Sequence, residues 1–113
     1  MRDSLLIQFM GENPGTKIID FLIDNKGMDY SKTDIAQGAG ISRGALFKHW
    51  NKIEEFKIAK ETRRYGKTRL YTLNTENEVV QELLRLESTL IKQAMKTEHQ
   101  KNMAEKHKQA LTA

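Results

Sequence analysis

The chain has 113 residues, of which 38% are hydrophobic and 30% are charged, and its formal net charge is +4. This length fits one ordinary domain or a small domain with an extension, and the apolar content excludes complete disorder. No segment approaches the roughly 18 apolar residues that cross a bilayer, and the absence of cysteine excludes disulfides and thiolate chemistry. We therefore expect a cytoplasmic protein.

Positive charge is concentrated in the middle of the sequence. Residues 30–69 hold ten Lys and Arg against four Asp and Glu, whereas residues 1–29 have an acidic excess and residues 70–113 are balanced. A basic stretch is compatible with a solvated face and also with an anionic partner such as nucleic acid. The elements that carry these charges decide between the two interpretations.

The N-terminal part of the sequence predicts two helices. Residues 5–10 are almost continuously apolar, and Asp3 can cap a short helix there. A helix that is apolar on nearly all sides has to be covered by other parts of the protein. Asn13 and Pro14 are a typical N-cap and first residue of a second helix, which ends near Gly27.

The basic middle segment predicts a short strand and two more helices. Residues 28–30 can form a three-residue strand, after which Ser31 caps a third helix and Ser42 caps a fourth that runs over 42–56. Gly40, between the helices, accepts the left-handed backbone that a tight turn requires. The spacing is that of a helix-turn-helix.

The fourth helix has an apolar stripe at Leu46, Trp50 and Ile53, which predicts its buried side. His49 takes a place that is usually apolar in this motif, so the stripe is rotated by one residue.

A β-hairpin and a last helix are predicted next. Residues 58–64 and 67–73 alternate in polarity around Tyr65 and Gly66, as the two strands of a hairpin do. Thr75 and Glu78 have the spacing of a capping box at the start of the last helix.

The last helix carries two adjacent apolar rows as far as about residue 96. After that the rows stop, and a frayed polar helix and a disordered tail both fit the sequence. The segments predicted are an N-terminal helix over 1–12, a unit of helices and hairpin over 13–74, a last helix over 75–96 and a polar tail over 97–113.

The order of these elements resembles the winged helix-turn-helix proteins, in particular small archaeal and bacterial transcription regulators akin to the ArsR and MarR families. The resemblance is carried by residues 29–36, 41–46 and 69–74 and covers roughly residues 14–75. It implies a mainly α fold with a small β-hairpin, which is the wing. An extra N-terminal helix and a long C-terminal dimerisation helix complete the predicted architecture.

The resemblance implies double-stranded DNA as the partner and a nucleoid-associated protein. The fourth helix would enter the major groove with its N-terminal residues at base edges. Arg43 can form two hydrogen bonds with guanine, and the wing can reach phosphates or the adjacent minor groove. For Phe47 two interpretations stay open, contact with a thymine methyl group or packing within its own domain. The predicted DNA-binding residues are Ser31, Lys32, Ser42, Arg43, Gly44, Lys48, Lys52, Arg63, Arg64, Tyr65, Lys67 and Arg69.

The apolar terminal helices predict a homodimer that reads a pseudo-palindromic operator. The residues predicted to form its interface are Leu5, Leu6, Phe9, Val79, Leu83, Leu86 and Leu90. We predict no catalytic residues, no metal site and no cofactor, since the three histidines lie in charged helices and no phosphate-binding loop occurs. The chain is therefore not expected to be an enzyme, and an effector or protein partner stays open.

Two alternatives use the same fold. One is a DNA-organising or plasmid or chromosome partition adaptor that spreads along DNA and recruits other proteins. The other is a protein-interaction winged helix within a larger assembly, in which the basic wing is only solvated.

Overall fold

The computed structural model describes the backbone of residues 4–112 and the side chains of residues 4–106. Within this range five helices and one two-stranded sheet follow each other along the chain. The elements are α1 (Leu5–Met10), α2 (Pro14–Asp24), α3 (Lys32–Ala39), α4 (Arg43–Glu55), β1 (Ala59–Tyr65), β2 (Thr68–Leu73) and α5 (Glu78–Thr112). The predicted fold class, a mainly α winged helix with a hairpin and a long last helix, is confirmed.

Most helix starts are fixed by one side-chain oxygen, as predicted. Asn13, Ser31 and Ser42 each accept a hydrogen bond from the backbone N–H three residues later, at 3.0, 3.1 and 3.0 Å. The cap of α1 is Ser4, whose Oγ accepts from the N–H of Ile7 at 3.1 Å. The prediction that Asp3 caps this helix was wrong by one residue, and Asp3 itself lies outside the described residues.

The start of α5 differs from the predicted capping box. The helix begins at Glu78, and the N–H of Val79 donates to Oδ1 of Asn77 at 2.9 Å. The amide of Asn77 also donates to the carbonyl oxygens of Phe56 and Lys57, at 2.6 and 2.8 Å. Asn77 rather than Thr75 therefore starts the helix, because its amide also satisfies the carbonyl groups where α4 ends.

The core lies between α2, α3, α4 and the wing. The predicted stripe of α4 is 1–3% exposed, at Leu46, Trp50 and Ile53. His49 is only half-buried, which agrees with the rotated register. The ring of Trp50 meets that of Tyr71 from β2 edge to face, with 5.0 Å between the centroids.

The first helix of the helix-turn-helix, α3, makes a close contact with α2. Gly38 lies inside α3 and not at a helix break, since the helix continues to Ala39 and the left-handed residue is Gly40, with φ of 71°. A Cβ atom at Gly38 would collide with the ring of Phe21. Gly38 therefore lets the two helices approach each other.

The wing is an antiparallel hairpin whose strands pair from Ala59 with Leu73 to Tyr65 with Thr68. Its turn is therefore Gly66–Lys67, one residue later than predicted, and Gly66 takes a positive φ of 58°. A bulge falls between Glu61 and Arg63. The predicted short strand is reduced to one bridge, in which Tyr30 pairs with Tyr71.

The last helix is longer than the predicted dimerisation segment. It continues without interruption to Thr112, so the polar tail is helical in the described part of the chain. At 1.5 Å per residue its 35 residues span about 50 Å, and the molecule measures 69 × 28 × 21 Å. The radius of gyration is 18.4 Å, against about 13 Å for a compact chain of this length. None of the described helices has the combined length and apolarity to cross a membrane.

Candidate nucleic-acid interface

The outward face of α4 is exposed and basic at its N-terminal end. Arg43 is the first residue of the helix, and Arg43, Gly44, Lys48 and Lys52 are all exposed. A Cβ atom at Gly44 would meet nothing nearer than Ser42 Oγ at 4.0 Å. The first turn of α4 therefore offers an open surface beside Arg43, and Lys48 and Lys52 follow along the helix.

A cleft of about 210 Å³ joins the N-terminus of α3 to the second strand of the wing. We call it the basic cleft. Three cations line it, Lys32 from α3 and Lys67 and Arg69 from the wing, and no carboxylate contributes to it among the described residues. The residues that line it are Ser31, Lys32, Thr33, Lys67, Thr68, Arg69 and Tyr71. Two predicted groups that are 35 residues apart in sequence thus share one anion-attracting surface.

The ammonium group of Lys32 is held over an aromatic cluster. Its Nζ lies 5.6 Å from the ring centroid of Phe47, 5.5 Å from that of Trp50 and 5.6 Å from that of Tyr71. Cations are attracted to aromatic faces at this distance. Lys32 is therefore a half-buried, oriented cation that connects α3, α4 and β2.

Each wing arginine is paired with a carboxylate. Arg63 donates from Nε and Nη2 to the two oxygens of Asp29, at 2.9 and 3.2 Å. The Thr62 hydroxyl and the Arg63 guanidinium hydrogen-bond to Asp29 and hold the pKa of its carboxyl below the usual value. The pKa of the Arg63 guanidinium is raised in turn by Asp29.

Glu61 is the partner of the other two arginines. Its Oε1 lies 3.1 Å from Nε of Arg64 and 3.6 Å from Nε of Arg69. Lys67, at the turn, forms no ion pair within residues 4–106. The four predicted cations of the wing therefore lie close together. Of these four, only Lys67 has no carboxylate partner among the described residues.

Asp29 and Glu61 were missed by the sequence analysis. Asp29 is 34 residues from Arg63, and no local pattern indicates that pair. Glu61 lies three residues before Arg64 on one strand, a spacing that puts side chains on opposite faces of a regular strand. No sequence signal therefore indicated this pair, which forms next to the bulge. The remaining predicted side chain, Tyr65, is 61% exposed and has the guanidinium of Arg63 5.2 Å from its ring centroid.

Three carboxylates meet between α2 and α5, away from the predicted DNA-binding residues. Oxygen atoms of Asp20, Asp24 and Glu87 lie within 4.8 Å of one another, and Ser4 Oγ donates to Asp20 at 2.6 Å. Burial, and then the charge of Asp20, raises the pKa of Asp24. Burial and the charges of Asp24 and Asp20 also raise the pKa of Glu87, against the effect of Lys26. We refer to these three residues as the carboxylate cluster.

The residues predicted to form the dimer interface differ in exposure: some are covered by their own domain and others are exposed to solvent. Leu6 is completely buried in its own domain and leaves no surface to a partner. Leu5 is half-buried, and Leu83, Leu86 and Leu90 are half-buried against the domain core. Phe9 and Val79 are 65% and 46% exposed. Further along α5, beyond the predicted interface residues, the exposed apolar side chains are Ile91, Met95 and Met103.

No family model matches the chain, and no curated protein matches its sequence. Solved structures do match. ZitR of Lactococcus lactis, as a double mutant in its apo form, is 20% identical, with a TM-score of 0.60 over 94% of this chain and 86% of that one. The chain has a winged-helix fold. The resemblance to winged-helix regulators akin to the MarR family is therefore confirmed for the fold.

Two further winged-helix structures give a similar result. NolR from Sinorhizobium fredii is 24% identical, with a TM-score of 0.55 over 69% of this chain and 73% of that one. MepR, described as a transcription regulator of the Staphylococcus aureus multidrug efflux pump MepA, is 14% identical. Its TM-score is 0.60, over 95% of this chain and 82% of that one.

Proposed function

We propose that the chain is a homodimeric transcription regulator that binds double-stranded DNA with sequence specificity. In this proposal residues 13–74 form the DNA-binding unit, and α5 is the dimerisation helix. The observation that carries the proposal is the basic cleft, which brings Lys32, Lys67 and Arg69 together, with Lys32 Nζ 5.6 Å from the ring of Phe47 on the exposed side of α4. Neutralisation of phosphates by such cations supplies most of the non-specific affinity of DNA-binding proteins.

The N-terminal half of α4 is proposed to lie in the major groove. A helix fits this groove, and its first turn then faces the base edges. Arg43 is exposed there and can bind guanine O6 and N7 with two hydrogen bonds. Gly44, with open space around it, allows a close approach of the DNA. Lys48 and Lys52, further along the helix, are placed to contact the phosphates that border the groove.

The basic cleft is proposed to receive the DNA backbone. Its size, about 210 Å³, and its three cations suit a phosphate group. The Oγ atoms of Ser31 and Ser42 accept the cap hydrogen bonds, which leaves each O–H able to donate to a phosphate oxygen. The wing arginines would exchange Asp29 and Glu61 for phosphates or the minor groove.

The exposed part of α5 supports the proposed dimer. Isolated helices in water are marginal, and most helical stability comes from packing of an apolar face. Ile91 and Met95 are 42% and 67% exposed on a part of α5 that carries no buried residue. Pairing with the same segment of a second copy, together with Phe9 and Val79, would cover these side chains. Two recognition helices would then meet half-sites about one helical turn apart.

Selection of binding sites from random DNA, followed by footprinting, tests this function. We expect a pseudo-palindrome and a protected region of fixed size as the protein concentration rises. A protected region that grows with concentration would favour the spreading adaptor. Absence of salt-sensitive binding to any duplex would contradict the proposal and favour a protein-interaction role.

A further inference from the structure

Phe47 is a large apolar side chain in the middle of an otherwise polar surface. It is 52% exposed, and it follows Gly44 by three positions and Arg43 by four on α4. Residues at these spacings lie on the same side of a helix. The side chain thus occupies the centre of the surface that is proposed to face the major groove, where apolar area stays in contact with water unless a partner covers it.

We propose that Phe47 recognises the 5-methyl group of a pyrimidine, which in ordinary DNA is the methyl group of thymine. Among the groups that the four bases present in the major groove, this methyl is the apolar one. Contact with an aromatic ring would remove both from water. The inference rests on the proposed DNA-binding function and adds the chemical feature of the base pair that α4 reads.

The ring of Phe47 is oriented before any DNA arrives. Lys32 Nζ lies 5.6 Å from its centroid, and the same ammonium lies 5.5 Å from the ring of Trp50, which is only 2% exposed. The buried tryptophan therefore anchors the lysine, and the lysine restrains the phenylalanine from one side. A side chain that is already ordered loses less conformational freedom on binding.

Gly44 provides the space that the contact needs. Nothing in the domain requires a glycine at this position, because a Cβ atom would meet only Ser42 Oγ at 4.0 Å. Glycine weakens a helix, yet it leaves an open area next to Phe47. A base edge can enter there and bring its 5-methyl group against the ring, while Arg43 extends along the same side.

Removal of single methyl groups from DNA tests the inference. A duplex that the wild-type protein selects from random sequence is resynthesised with deoxyuridine in place of each thymine in turn. This exchange removes one methyl and keeps every hydrogen-bonding atom of the base. At one thymine in each half-site we expect about fourfold weaker binding, the value for one methyl group returned to water. Phe47→Ala should bind the thymine and deoxyuridine duplexes equally.

Phe56→Ala is the matched control, because Phe56 is 57% exposed at the other end of the same helix. It should keep the thymine preference of the wild type. A wild type that is indifferent to deoxyuridine at every position, or a folded Phe47→Ala that retains the preference, would overturn the inference and leave DNA binding intact. A wild type that binds no DNA would overturn both, so the two failures are distinguishable.

Discussion

The substitution Arg43→Ala tests whether α4 contacts base edges. Truncation to alanine should cost about 1–3 kcal/mol on the selected operator and much less on unrelated DNA, if Arg43 binds a guanine. Gel shifts on both duplexes measure the difference. Equal losses on the two would make Arg43 a phosphate contact, and no loss on either would contradict the placement of α4.

In the proposed complex, Glu61 would reduce the positive charge that the wing presents to phosphates. It pairs with Arg64 and Arg69, so its conversion to glutamine should release both arginines and tighten non-specific binding. Exposed ion pairs are weak, and we expect an increase of about threefold to tenfold at low salt.

Lys67→Ala is the comparison for Glu61→Gln, because Lys67, at the turn of the wing, has no acidic partner among the described side chains. It should weaken binding to all sequences and flatten the log–log salt dependence by about one unit. Titrations at several salt concentrations give both slopes. If Glu61→Gln left affinity and slope unchanged, phosphates would not compete for its arginines.

At the scale of the elements, the contact between α2 and α3 is set by one glycine. Gly38→Ala should destabilise the domain, because the added Cβ collides with the ring of Phe21. Overpacking costs about 1–3 kcal/mol, against a gain of about 1 kcal/mol in helix propensity. Gly44→Ala is the control, since its Cβ enters open space, and it should be neutral or slightly stabilising in urea unfolding. Equal effects of the two substitutions would contradict the close packing.

The carboxylate cluster makes the junction of α2 and α5 sensitive to pH. Burial and the neighbouring charge of Asp20 raise the pKa of Asp24 above its ordinary value of 3.8, so the folded state holds this proton more tightly than the unfolded chain. Stability from this group is therefore present at low pH and is lost as the pH rises through the raised pKa. Asp24 is also the last residue of α2, where a negative charge is unfavourable.

Asp24→Asn should accordingly raise the Tm at pH 7. The difference from the wild type should shrink towards pH 4 and disappear below it, where the carboxyl group is protonated in both states. Thermal unfolding at a series of pH values measures this. A stabilisation that is independent of pH would show that charge in the cluster is not the cause.

Local chemistry explains which elements the sequence could predict. The caps at Asn13, Ser31 and Ser42 depend on residues three positions apart, and the apolar stripe of α4 depends on helical spacing, so both were predicted correctly. The ion pair of Asp29 and Arg63 depends on the packing of the segment before α3 against the wing. No sequence pattern predicts a contact between residues so far apart.

The two ends of α5 were less predictable. Thr75 has the residue type and spacing of a cap, but the hydrogen bonds of Asn77 to the carbonyl groups after α4 determine where the helix begins. Beyond residue 96 the apolar rows end, and a polar segment is equally compatible with helix and with disorder. The continuation to Thr112 comes from the absence of any glycine or proline that would stop it.

For the whole molecule, the proposed function requires a dimer that is paired through α5. Ile91→Lys should give a monomer, because it places a charge in the proposed seam while leaving the domain core intact. Leu86 is less suitable, since it is half-buried against its own domain. Gln93→Lys, on the opposite side of the same helical segment, should remain dimeric. Light scattering at micromolar concentration distinguishes the two. A monomeric wild type would contradict the dimer, and a dimeric Ile91→Lys would place the seam elsewhere.

Asn77 connects the end of α4 to the start of α5 through its side chain. Its side chain starts α5 and at the same time donates to the carbonyl groups of Phe56 and Lys57, so three hydrogen bonds of one residue hold the end of α4 to the start of α5. In the proposed dimer, a rotation of one α5 against the other would therefore also change the orientation of the two α4 helices. The stiffness of this connection would then set how far the distance between the two half-sites can vary.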